Sequence, residues 1–226
     1  MTLSTAATPV NTIVTFVGVV TDTQTYRNLL YLILAFPLGL AYYMVLTIGF
    51  TLGIGLSVLL VGLGVLLGTV IGLRYIAAFE RKLANALLGT TIPEPNDVKS
   101  DSDGIIATIK AYLGARSTWM GLAFVALKFW FGILAFVLLV AFLGTGIELL
   151  VLPVFPGGVL NVQVGEWVVA ESIETTTHRL AAVPVGAVVV VISFHILNAV
   201  AGVSASVASS LLGPSSADTD GYNIPK

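Results

Sequence analysis

From Asn28 to Leu73 the chain runs without a charged residue or a histidine, bounded by Arg27 and Arg74. A bilayer-spanning helix needs roughly 20 apolar residues. Leu29 to Leu73 therefore predicts two spans joined by a tight outer turn, with Gly49 and Gly53 flanking it. Hydropathy along the whole chain places four spans, at about 29–48, 52–73, 119–143 and 181–200. Between spans two and three stand Arg74, Arg81, Lys82, Lys99, Lys110 and Arg116, whereas between three and four a single Arg179 stands against Glu166, Glu171 and Glu174. The positive-inside rule then puts the first of these segments and both termini in the cytoplasm of a cell-membrane protein, and the second segment outside.

The polar stretches have a pattern of their own. Ile76, Phe79, Leu83, Ala86 and Leu87 continue span two as a helix that leaves the membrane, which Gly89 and Pro93 stop. A mobile Pro/Asp/Ser-rich linker is expected over 90–104. Beyond it Ile105, Ile106, Ile109, Tyr112 and Leu113 form the apolar face of a short interfacial helix, completing a cytoplasmic segment at 74–117. Ile13, Val14, Val17 and Val20 give the N-terminal segment, 1–28, a weaker interfacial face. The residues 214–226 after the membrane domain, 29–213, are small, polar and acidic and are expected to be disordered. In the outward segment, 151–180, Pro153, Pro156, Gly157 and Gly158 break span three, and Leu160, Val162, Val164 and Trp167 around Gly165 suggest a short hairpin.

Shifting the chain by 93 residues lays Thr25, Leu29, Leu34, Phe36, Gly39, Leu46, Gly53, Ile54 and Leu56 on Thr118, Leu122, Leu127, Phe129, Gly132, Leu139, Gly146, Ile147 and Leu149. ANALLG at 84–89 matches ASSLLG at 208–213 with a shift of 124, so about 31 residues are inserted in the second half, where the outward segment lies. The fold class that follows is an all-α integral membrane protein. Its four transmembrane helices form two parallel pseudo-repeats, with cytoplasmic and interfacial amphipathic helices and one outward loop.

Composition changes this picture little: 57% apolar and 10% charged residues fit a chain buried against lipid. The absence of cysteine removes disulfides, thiolate metal sites and a cysteine nucleophile. With net charge −2 and no basic tract, nothing points to nucleic acid. Phosphate-binding, zinc-protease and nucleophile-elbow motifs are missing, so no catalytic, cofactor or metal residue is assigned and an enzyme is not expected.

The candidate chemistry is sparse. Lys128, Glu148 and His195 are the ionisable groups in or at the edge of spans, where such groups mark function or pair with one another. Lys128 otherwise snorkels inward, and His195 otherwise donates to a backbone carbonyl. Trp167 reads as an interfacial anchor, and Glu171, Glu174 and His178, at i, i+3 and i+7, as one solvated helical face of a signal-input loop. Gly64, Gly68 and Gly72 form a small-residue ridge that packs span two on span one or, failing that, serves a homo-oligomer. Phe79, Glu80, Arg81 and Arg116 are candidate relay residues at the membrane exit. Phe79 is expected to pack on the interface or on the helix holding Val203 and Val207, and Glu80 to be held by Arg116 in an exposed pair contributing about 0–1 kcal/mol.

YLILAFPLGLAYY at 31–43, the glycine-rich 49–56, AFERKLANALLGTTIP at 78–93, 118–136 and LNAVAGVSASVASSLLG at 197–213 together resemble the "putative sensor" membrane domain of bacteria and archaea. That domain often precedes a histidine kinase and also occurs alone, notably in halophilic archaea. The resemblance implies a stand-alone sensory module that relays to a membrane or cytoplasmic protein partner, with the bilayer as its other partner. Phosphorylation-site and ATP-binding domains are absent from this sequence. A structural or accessory subunit of a membrane complex is the second reading, and a small transporter the third.

Overall fold

The computed structural model describes residues 16–97, 105–168, 170–171, 173 and 175–214. Four helices carry the molecule: α1 (Thr23–Gly55), α2 (Val61–Leu87), α4 (Arg116–Val151) and α5 (Thr176–Leu212), each long and apolar enough to cross a membrane. A short α3 (Ile105–Gly114) precedes α4, and β1 (Gln163–Val164) pairs antiparallel with β2 (Trp167–Val168) across the turn at Gly165, whose φ is +65°.

Every span is longer than hydropathy alone suggested. At 1.5 Å per residue a bilayer core of about 30 Å takes some 20 residues, whereas these helices hold 33, 27, 36 and 37. The surplus is helix beyond the core. The residues from Ala199 onward therefore continue span four and do not form a separate element. Span three likewise does not end near 143; it passes through a π-helical stretch, Leu139–Gly144, to Val151. Single-turn π segments inside an α-helix are often found at functional positions.

The expected turn at Gly49–Gly53 is wrong. Both glycines lie inside α1, and the chain reverses later, through a 3-10 turn at Ser57–Leu59. There Leu60 takes a left-handed φ of 61°, and the Gly62 N–H donates to the Leu56 carbonyl at 3.1 Å. A side chain at Gly62 would collide with the backbone of Gly53, Leu56 and Ser57. Hydropathy could not place this turn because Val58, Leu59, Leu60 and Val61 are apolar yet exposed.

The chain divides into two compact units. One comprises Leu30–Leu134 and Ala201–Lys226, the other Met1–Leu29 and Ala135–Val200. In the first, Tyr42, Leu73 and Val125 form a buried cluster with Leu38, Leu46, Ile76 and Leu122 against it. Helices close through glycine, as expected where lipid supplies no hydrophobic drive. Gly49 fits against Thr69, and Gly53 against Leu66. A Cβ at Gly39 would lie 2.9 Å from Phe129 Cα, and one at Gly132 would lie 2.9 Å from Phe36 Cα. This contact is reciprocal under the 93-residue shift, which carries Phe36 to Phe129 and Gly39 to Gly132.

The glycine ridge expected to pack span two on span one does not do so. Side chains added at Gly64, Gly68 or Gly72 would meet nothing within 4 Å. The α1–α2 contact is supplied by α1's own glycines against Thr69 and Leu66, which lie on another face of α2.

In the second unit Gly146 of α4 packs on Val190 and Gly186 of α5 on Leu149. Leu152, Ala170 and Ala182 form the small core beneath the loop. Of the remaining expectations, Ile13 and Val14, the linker 98–104 and the tail 215–226 lie outside the described residues.

Candidate functional site

The inward stripe of α2 is Leu73, Ala77, Glu80, Arg81 and Ala84, all buried, whereas Phe79 is half exposed. This overturns the expectation that Glu80 sits in an exposed pair: its carboxylate is buried, and it is Phe79 that is half exposed. In lipid an aromatic ring faces outward without penalty, and a carboxylate must turn inward to find a partner. The small residues Ala77 and Ala84 beside Glu80 were the sequence signal for that face.

Arg116 is not the partner. Glu80 Oε2 accepts a hydrogen bond from Lys128 Nζ of α4 at 2.8 Å, with side chains 0% and 3% exposed. Lys128 thus neither snorkels nor joins Glu148 or His195. Its ammonium sits 3.8 Å from the centroid of the Tyr31 ring and 6.0 Å from that of Phe124. These two aromatic residues are related by the same 93-residue shift. Tyr31 and Tyr42 of α1 both face the Glu80 carboxylate. Even so, Glu80 Oε1 and Tyr42 Oη are buried with no hydrogen-bond partner among the described residues. A cavity of about 10 Å³ lined by Tyr31, Phe124, Lys128 and Ser204 adjoins the pair, enough for about one water.

The energetics of such a pair decide what it is for. Removing one partner of a buried ion pair costs about 3–5 kcal/mol, yet replacing both by apolar residues is often neutral. Stability alone does not require it. What the geometry shows is a carboxylate with one oxygen bonded to Lys128 and the other without a partner among the described residues, flanked by two phenols.

The next residue faces a different environment. Arg81 Nη2 lies 3.3 Å from Glu94 Oε1, and Glu94 is 73% exposed. Residues 90–97, expected to be mobile, are tied to the bundle. Asn85 Oδ1 accepts from the Thr90 hydroxyl and the Ile92 N–H, each at 2.8 Å. Asp97 accepts from the Ser117 N–H at 2.7 Å and its hydroxyl at 2.6 Å, capping the start of α4 from 20 residues away. Partial burial pushes the Asp97 carboxyl up, but the Ser117 hydrogen bonds and the charge of Arg74 outweigh it and hold its pKa below the ordinary value. Asp97 was missed in the sequence because its capping role depends on a long-range return of the chain.

The other candidates have separate partners. Glu148, wholly buried, accepts the N–H groups of Val159 and Leu160 at 3.1 and 2.9 Å, so it pins the loop after α4. Gly158, at φ +78°, leaves room for that carboxylate, which a side chain there would strike. His195 stacks on Phe16 at 4.4 Å with Nε2 3.0 Å from the Phe16 carbonyl oxygen. Asn198 links Asn28 and Thr25 at 2.9 Å each. Trp167 is 72% exposed on β2.

Glu171 and His178 do not share a helical face. The helix starts only at Thr176, where Thr175 Oγ1 accepts the His178 N–H at 3.3 Å as an N-cap, and Glu171 lies in the turn before it. Glu174 lies outside the described residues.

Four membrane-length helices around a buried ion pair define a multi-pass α-helical membrane protein with an ionisable group in its helical core. The family model described as "Putative sensor" matches residues 31–212, and the chain belongs to that family. Comparison with curated proteins and with solved structures found no match.

Proposed function

We propose that the chain is a non-enzymatic signal-input module whose two-state element is the Glu80–Lys128 pair, relaying to a protein partner. The observation that carries this reading is the pair itself, wholly buried between α2 and α4 with one carboxylate oxygen unsatisfied. An intramembrane ionisable group is a functional site by default, and a relay needs an element that both input and output can bias. Chain continuity supports the route: α4 bears Lys128, then the π segment, then Glu148, which holds the loop at 159–160. The loop 151–180 is the proposed outward input, and the cytoplasmic end of α2 the output. Both termini are cytoplasmic in this reading, as the Lys/Arg bias requires.

The test is co-purification from native membranes of the wild type and of Glu80→Gln/Lys128→Gln, which removes both charges together. The relay reading expects a stoichiometric partner whose retention changes in the folded double variant. Unchanged retention reduces the pair to a packing device of an accessory subunit.

A further inference from the structure

An open cavity of about 280 Å³ lies beside the exit of α2, lined by Arg74, Tyr75, Arg81, Glu94, Tyr112 and Ser117. Its lining is mixed: Ile71, Ala77 and Ala78 contribute apolar surface alongside the two arginines. Arg74 is held in place. Its Nη1 donates to the Ser117 and Thr118 hydroxyls at 2.9 and 2.5 Å, and its guanidinium lies 5.1 Å from the Tyr112 ring centroid. Among the described residues no carboxylate lies within ion-pair distance of Arg74. Asp97 compensates it at longer range, linked to it through Ser117.

Arg81 is 8% exposed and so is fixed by packing, but its one carboxylate contact among the described residues is a single 3.3 Å bond to an exposed Glu94. A pair of that kind is weak. The cavity therefore holds two ordered guanidinium groups, one with no direct counter-ion among the described residues and one paired with an exposed carboxylate.

We infer that this cavity binds a phosphate ester, with Arg74 and Arg81 on the phosphate oxygens and Glu94 as the group displaced. Guanidinium forks match phosphate geometry through paired charge-assisted bonds. The apolar lining residues suit the glycerol or acyl portion of such an ester, and basic pockets between membrane helices bind lipid headgroups. The chemistry is shared by an anionic lipid and by a soluble phosphate ester. The inference goes beyond the relay reading and stands whether or not the Glu80–Lys128 pair transmits a signal.

Two arms separate the sources. In one, the full chain in detergent micelles is exchanged with equal amounts of phosphatidylglycerol and phosphatidylcholine, and retained lipid is read by native mass spectrometry. In the other, glycerol 3-phosphate is titrated calorimetrically. Retention of phosphatidylglycerol over phosphatidylcholine alone assigns a lipid headgroup, and glycerol 3-phosphate binding assigns a free ester as well. In whichever arm binds, Arg81→Gln should weaken binding about tenfold, the loss expected of one charge-assisted contact. Glu94→Gln, at an exposed position that folding tolerates, should strengthen it. Binding in neither arm, or binding indifferent to both substitutions, overturns the inference.

Discussion

Glu80 shows how far one side chain's environment can depart from what its neighbours in sequence suggest. Placed beside Phe79 and Arg81 just past an apolar span, it reads as half of an exposed pair with Arg116, yet it is wholly buried against Lys128. The pair predicts a particular non-additivity. Glu80→Gln or Lys128→Gln alone should destabilise the protein by about 3–5 kcal/mol, and the double variant should recover most of the loss. Unfolding of the purified protein in micelles measures this; additive losses would mean that the two charges do not interact. Asp97 makes a second prediction at this scale. Its carboxylate is favoured in the folded state, so its contribution is present above the unfolded pKa, near 3.9, and is lost as pH falls through the lower native value. The Ser117 amide proton signal should therefore titrate with a midpoint below about 3.9 and stop titrating in Asp97→Asn. A midpoint at or above that value would contradict the hydrogen-bond cause.

At the level of helices, glycine position decides packing. Gly39 and Gly132 meet backbone across the α1–α4 contact, while Gly68 faces open space. Gly39→Leu or Gly132→Leu should each cost about 1–3 kcal/mol or more from overpacking, and Gly68→Leu should leave thermal unfolding in micelles within about 0.5 kcal/mol of wild type. Equal losses at all three would place the helix contact on the wrong face. The existence of the four spans was legible because lipid demands long apolar helices. Their ends and the turn at Ser57–Leu59 were not, because Leu56 to Val61 are as apolar as the spans they join. The face of each helix was hidden for the same reason: where both surroundings are apolar, hydrophobic periodicity carries no inside-outside information, and only small and polar residues do. Lys128 could be singled out as an intramembrane charge, but its partner could not, since the two lie 48 residues apart.

For the whole molecule, orientation rests on Lys/Arg asymmetry, and the lack of cysteine makes it directly measurable. With single cysteines at Asn96 or Gly157, an impermeant reagent should label only the Gly157 site in intact cells; labelling at Asn96 would reverse the topology. The proposed role of the Glu80–Lys128 pair is to set a conformational equilibrium between α2 and α4. It is tested most directly by pulsed EPR distances between spin labels at Lys82→Cys and Trp119→Cys, both exposed positions within one compact unit. With the pair intact one dominant distance is expected, and a shifted or second population when Glu80→Gln/Lys128→Gln is added to a chain that still folds. An unchanged distance distribution in the folded double variant would contradict it.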